Sequence, residues 1–187
     1  METARIPPLQ YRLLVAHPAL RDPHFRHTVI YLLEHDPKEG SLGLVLNRPM
    51  DCFAAELLPD HQSTPFLSAI PVFWGGPVGA NQLTFAAIEP KTSGQVRFVY
   101  RLPLEEVESY ILKRNSSVRA YVGYAGWSGG QIEAEIQERS WVVQSANSEL
   151  LLDPERPQGE TLWRTIISSL GPLFRLEAGA PENPSLN

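Results

Sequence analysis

The stretch TVIYLLEHDPKEGSLGLVLN, residues 28–47, sets two apolar, β-branched and leucine-rich runs on either side of a short polar loop. Residues 28–35 and 42–47 read as strands, and DPKEGS between them has hairpin length, so the two should pair antiparallel. A chain whose first strands meet through a hairpin builds an antiparallel or mixed sheet, because parallel neighbours need a long crossover.

The same grammar extends outward. Residues 12–16, 72–74, 83–88, 96–101, 119–124 and 141–144 are short runs suited to strands, bounded by Pro and Gly. Helices are expected at 51–60, with Asp51 as cap and Pro59 as stop, at 104–114 and at 130–138. Trp163, Ile166, Ile167 and Leu170 recur at helical spacing before Gly171-Pro172 ends that helix. Hairpins come first and helices alternate later, which predicts an α+β fold with a mixed or mostly antiparallel sheet flanked by helices. The chain should form one domain over 1–187, organised from about 11 to 176. Residues 1–10 and the tail 177–187 lack an apolar period and are expected to be loosely held.

Composition narrows the classes. The 187 residues carry a net charge of −5, with 43% hydrophobic and 20% charged residues. That balance suits a globular protein and disfavours phosphate backbones or anionic lipid as partners. Lys113-Arg114, with Arg119 nearby, is the longest concentration of positive charge and reads as a solvated helix end. Cys52 is the only cysteine, so no intrachain disulfide forms and no multi-thiolate metal site is expected. No run of 18 apolar residues and no signal-like N-terminus is present, which predicts a cytoplasmic protein without a membrane span.

Four of the five histidines fall in HPALRDPHFRHTVIYLLEH, residues 17–35. His24-x-x-His27 would suit zinc only on a helix, and Pro23 followed by β-branched residues predicts a turn entering a strand instead. Of these histidines His35 is retained as a candidate. GYAGWSGGQIEAEI, residues 123–136, is a strand that breaks into a glycine-rich loop and opens a helix. It matches no phosphate-loop pattern and carries no Lys or Arg, and it reads either as a structural turn or as a contact formed by Tyr124, Trp127 and Gln131. Glu133 and Glu135, two apart on a helix, point apart and are not a carboxylate pair. Gly75-Gly76 before Pro77 permits an unusual backbone path, and Asn47-Arg48 ends a strand with an amide and a guanidinium. No nucleophile elbow or Cys-His arrangement is recognisable.

These segments in this order, together with SWVV (140–143) and LLDP (151–154), resemble the YqgE/AlgH family of bacterial proteins. The resemblance implies a single α+β domain with a branched or partly barrel-like sheet. It implies a regulatory association through the AlgH name, and no catalytic residues. Asp22, Pro23 and Phe25 match the family's Asp-Pro-x-Phe element, His35 its Glu-His ending, and Gly75, Gly76 and Pro77 its Gly-Gly-Pro turn. Gly123, Tyr124, Gly126, Trp127, Gln131 and Glu133 match its glycine-loop-and-helix motif. His17 and His27 stand where the family often has an apolar residue and an arginine.

The expectation is a binding or regulatory protein acting through an unknown protein or small-molecule partner, without cofactor or metal. Its recognition residues would be Asp22, Phe25, His35, Asn47, Arg48, Gly75, Gly76, Tyr124, Trp127, Gln131 and Glu133, converging on one concave surface. The alternative is an enzyme for a small anionic or nucleotide-like ligand, with His35 as general base and the N–H groups of Gly129 and Gly130 as anion site. Direct DNA binding is weakest, given the acidic charge and the lack of a helix-turn-helix pattern. Oligomeric state is not legible.

Overall fold

The computed structural model of the chain describes residues 8–58, 60, 64–153 and 157–179. In chain order the strands are β1 (Arg12–Ala16), β2 (Val29–Asp36), β3 (Gly40–Val45), β4 (Pro49–Phe53), β5 (Pro71–Trp74), β6 (Val78–Pro90), β7 (Val96–Leu102), β8 (Ser117–Trp127) and β9 (Trp141–Ser145). The helices are α1 (Ala54–Leu57), α2 (Leu104–Ile111), α3 (Gln131–Gln137), α4 (Ser148–Leu152), α5 (Gly159–Ser169) and α6 (Pro172–Gly179).

The hairpin forms as its pattern predicts: β2 and β3 pair antiparallel from Ile30 opposite Val45 to Asp36 opposite Gly40, with a bulge between Leu32 and Glu34. From there the sheet runs in the order β4-β5-β8-β3-β2-β1-β9, and β6 with β7 branches from β8. The branch is legible in the register of β8. Residues 120–122 pair parallel with β5, residues 125–127 pair antiparallel with β3, and β6 lies antiparallel along 117–122. The fold is therefore α+β with a mixed sheet. It is branched and does not close into a barrel, because β4, β7 and β9 each end with a single strand partner among the described residues.

Gly75 sits where β5 gives way to β3. Its N–H donates to Val122 O at 2.8 Å, and its carbonyl accepts from Val45 N at 2.9 Å. A Cβ on Gly75 would overlap the carbonyl of Gly123, and one on Gly76, at φ +152°, would overlap the backbone of Tyr124. Backbone lies directly on backbone at this fork, which only glycine permits.

Two apolar clusters make up the core, the larger on both faces of β1, β2 and β3 and the smaller on one face of β6 and β8. The larger gathers Leu13, Tyr31, Leu44, Trp127, Trp141 and Trp163 under α3 and α5; the smaller gathers Leu67, Val72, Phe85, Val107 and Ala120 near α1 and α2. Tyr121 belongs to the first and Ala120 to the second, as alternation along a strand requires.

Several boundaries differ from the sequence expectation. Asp51 does not cap a helix: residues 49–53 are strand β4, with Phe53 paired to Pro71, and only 54–57 turn helical. Pro59 lies outside the described residues. Gly171-Pro172 does end α5, but Pro172 also opens α6, whose Ala178 is 7% exposed. Leu9, at 2% exposed, also joins the core despite its place in a segment expected to be loose. Among the described residues no helix is long and apolar enough to cross a membrane.

Candidate functional site

His35 and Ser41 are register partners across the β2–β3 hairpin, so their side chains share a face. His35 Nδ1 lies 2.8 Å from Ser41 Oγ, a hydrogen bond whose direction follows the imidazole tautomer. On the next strand Trp127 stands opposite Ser41. The chain then turns through Ser128 to Gly130 into α3, and Glu133 reaches back to place Oε1 3.4 Å from His35 Nε2. The result is a Ser41–His35–Glu133 chain in which the side chains of His35 and Glu133 are 11% and 22% exposed. Glu133 Oε2 is buried without a hydrogen-bond partner among the described residues.

Beside this chain opens a cleft of about 410 Å³ lined by His35, Ser41, Trp127 and Gln10, with Glu34, Asp36 and Glu39 on its acidic wall. The backbone N–H groups of Lys38 and Glu39 both bond Asp36 Oδ1, and these contacts hold its carboxyl below the ordinary value. Glu34 is exposed where its neighbour His35 is half-buried, as strand alternation predicts.

A second group of residues holds the loop in place. Glu135 Oε2 accepts from the indole N–H of Trp127 at 2.9 Å and of Trp141 at 2.7 Å, while Oε1 accepts from Gln131 Nε2 at 2.9 Å. Gln131 Oε1 in turn accepts from the backbone of Ser128. Phe25 stacks on Trp127 at 6.1 Å and meets Trp141 edge-on at 5.7 Å. Phe25, Trp127 and Gln131 therefore position the rim, and Trp127 also lines the cleft. Glu133 and Glu135 take different partners, as their angular separation on the helix requires.

The remaining candidates lie elsewhere. Asp22 Oδ1 accepts from the backbones of His24 and Phe25 and closes the turn. Asn47 is 2% exposed and fully engaged: Oδ1 accepts from Val29 N, and Nδ2 donates to the carbonyls of His27 and Gly159. Arg48 donates to Arg26 O at 3.1 Å and lies 5.1 Å above the ring of Trp74. Burial and the neighbouring Arg26 push its guanidinium down from the ordinary value, and Asp22 opposes them. Arg48 and Asn47 line a separate hollow of about 150 Å³ with Arg26, His27 and Glu160.

Tyr124, three residues from Trp127, lies on the opposite face of β8 beside Val78 and Gly79. Gly75 and Gly76 form the sheet fork. The candidates thus divide between the cleft, the Arg48 hollow and the fork, and do not gather on one concave surface.

The histidines disperse too. His24 stacks on Trp74, His27 tilts over Trp163 and His17 meets Phe174. Among the described residues no three His, Cys, Asp or Glu side chains are grouped to hold a metal ion.

Sequence reading missed Ser41, Glu135 and Trp141. Ser41 could have been found from the hairpin register, and Glu135 from its i,i+4 relation to Gln131. No local signal points from Glu135 to Trp141.

A family model described as AlgH-like (DUF179) matches residues 13–175. A UPF0301 protein of Streptomyces avermitilis is 35% identical over 189 residues, covering 94% of both chains. A UPF0301 protein of Chlorobium luteolum is 34% identical, over 94% of this chain and 93% of the relative. Among solved structures, the AlgH protein of Pseudomonas aeruginosa matches with a TM-score of 0.65 and 29% identity, covering 98% of this chain and all of that one. A crystal structure from Corynebacterium diphtheriae, 19% identical with a TM-score of 0.69 over 95% of each chain, shares the fold. The chain belongs to the AlgH-like family.

Proposed function

We propose that this chain is a cytoplasmic binding or regulatory protein that works through a protein or small-ligand partner, and that the partner is received in the cleft beside Ser41, His35 and Glu133. The observation that carries this reading is the Ser41–His35–Glu133 chain, a hydrogen bond followed by an ion-pair contact at 3.4 Å, beside about 410 Å³ of accessible space. The acidic wall favours a partner that offers an amine or guanidinium. A regulatory role through such a partner agrees with the net charge of −5 better than direct nucleic-acid contact does.

A screen by thermal shift and calorimetry with polyamines and Arg- or Lys-containing peptides, beside a pull-down, tests this. Binding should weaken at least about tenfold in Ser41→Ala and His35→Gln, the loss of one or two buried polar contacts. Unchanged binding in both variants would sink the reading. Trp127→Ala is less informative, because Trp127 is also part of the core.

The same distances support a second reading, an enzyme in which His35 acts as general base. Ser41 Oγ, 2.8 Å from Nδ1, is the hydroxyl it would activate. An anionic substrate is disfavoured by the acidic wall, and neither Gly129 nor Gly130 lines the cleft. Covalent labelling of Ser41 by an alkyl fluorophosphonate, lost in His35→Gln, is the expected result of this reading; no labelling of the parent would end it.

A further inference from the structure

On a surface away from the cleft, the β6–β7 hairpin meets the turn that follows α2 and borders an open cavity of about 460 Å³. Glu89 and Arg97 are cross-strand partners in the hairpin, and Lys113 arrives from the end of α2. Glu89 accepts from Arg97 Nε at 3.2 Å and from Lys113 Nζ at 3.2 Å. The Lys113 ammonium also rests 3.5 Å above the ring of Tyr110. Lys91, Arg114 and Ser116 complete the polar lining.

We propose that this cavity binds the phosphate group of a small phosphorylated ligand. Four cations, Lys91, Arg97, Lys113 and Arg114, face a single carboxylate, a local excess of three positive charges on a chain whose net charge is −5. The carboxylate is the innermost member: the side chain of Glu89 is 17% exposed, against 56% for Arg97 and 46% for Lys113. Glu89 thus holds the two cations from behind while both side chains stay about half exposed to solvent. Guanidinium and ammonium donors from separate segments suit the oxygens of a tetrahedral anion.

Ser116 adds an independent sign. Ser116 is among the residues that line the cavity, and its Oγ is buried with no hydrogen-bond partner among the described residues. A buried hydroxyl without a partner carries a desolvation cost that a phosphate oxygen would relieve. Burial opposes the charge on Glu89, but the bonds from Arg97 and Lys113 outweigh it and hold the carboxyl below its ordinary value. It therefore stays ionised at neutral pH and repels the incoming anion, which makes its removal an informative change. Cavity size and the acidic remainder of the chain favour a small ligand over a nucleic acid.

The test is a titration of the full-length ¹⁵N-labelled chain with inorganic phosphate, with inorganic pyrophosphate and with a single-stranded oligonucleotide, at constant ionic strength. Phosphate and pyrophosphate should give saturable shifts at Lys91, Arg97, Arg114 and Ser116. Arg97→Gln and Arg114→Gln should each weaken binding about five- to tenfold, and Ser116→Ala about threefold, as charge-assisted and neutral hydrogen bonds are lost. Glu89→Gln should strengthen it about threefold or more by removing a like charge.

Shifts that chloride reproduces, that fail to saturate, or that centre on Arg26 and Arg48 would overturn the proposal. So would weaker binding in Glu89→Gln. Binding of the oligonucleotide more than about tenfold tighter than pyrophosphate would overturn the small-ligand assignment in favour of a polyanion surface. Should Glu89→Gln fail to fold, the exposed positions Arg97 and Arg114 still decide the matter.

Discussion

The cleft at the β2–β3 hairpin and the cavity at the β6–β7 hairpin are similar in size, about 410 and about 460 Å³, and opposite in charge. Their polar groups are also held differently. In the cleft, His35 and Glu133 are largely buried and hold each other, and behind them Glu135 ties down two indoles. In the cavity one nearly buried carboxylate anchors cations that remain about half exposed. A chain of net charge −5 therefore carries two separate fields, and the buried network should matter to stability where the exposed one matters mainly to recognition.

The two regions share β8, so breaking its fork should damage both. Gly76→Ala forces a Cβ into the Tyr124 backbone at a φ of +152°. A loss of about 3–5 kcal/mol is expected, a fall in Tm of roughly 6–20 °C for a chain of this length, measured by thermal and urea unfolding. Next is Glu135→Ala, which leaves the indole N–H groups of Trp127 and Trp141 without their acceptor while both residues are under 7% exposed. About 2–3 kcal/mol should be lost, with Trp fluorescence changed and the β6–β7 cavity intact. If Glu135→Ala costs no more than Arg97→Gln, the contrast between the two networks is wrong.

Smaller effects sharpen the other side. Arg97→Gln should cost under about 1 kcal/mol, since the arginine is exposed and its pair is solvent-screened. The pH dependence of Glu89 has a definite sign. Its folded pKa lies below the unfolded value of 4.5, so the unfolded chain takes up the proton first. The stability it contributes is fully present above 4.5 and is lost as pH falls through the lower folded value. Tm measured from about pH 6 down to about pH 3 should therefore show parent and Glu89→Gln converging at the acid end. A constant difference across that range would mean that Glu89 is not held as an ion pair.

Much of the architecture was legible because it is local. The hairpin at 28–47, the strand at 12–16 and the amphipathic helix after Pro103 depend on periodicity and turn residues that neighbours in the chain supply. Length was less legible than existence. β6 runs 13 residues from Val78 and β8 runs 11, where six each were expected, because pairing with partners far along the chain carries both strands through Gly79 and Gly123. At 51–53 a helical pattern loses to strand pairing with β5, and Asp51 stays exposed instead of capping.

The candidate site divides along the same line. His35, Trp127, Gln131 and Glu133 could be singled out from motif and resemblance, but the same reading swept in Asn47, which proves a buried structural amide, and Gly75 and Gly76, which form the sheet fork. Lys113-Arg114 is exposed just past the end of α2, as expected, but its nearness to Lys91 and Arg97 was not legible, since these lie 16 or more positions away and reach it only through the β6–β7 hairpin. Arg119, nearest in the chain to that pair, is buried, bonded to Leu151 O and turned toward Phe73.

Most element types, the first hairpin and the family resemblance were thus legible in short-range pattern, since side-chain period and turn chemistry act over a few residues. Which polar groups meet was decided by the branching of the sheet at β8, because a strand partner's identity depends on packing across the whole chain.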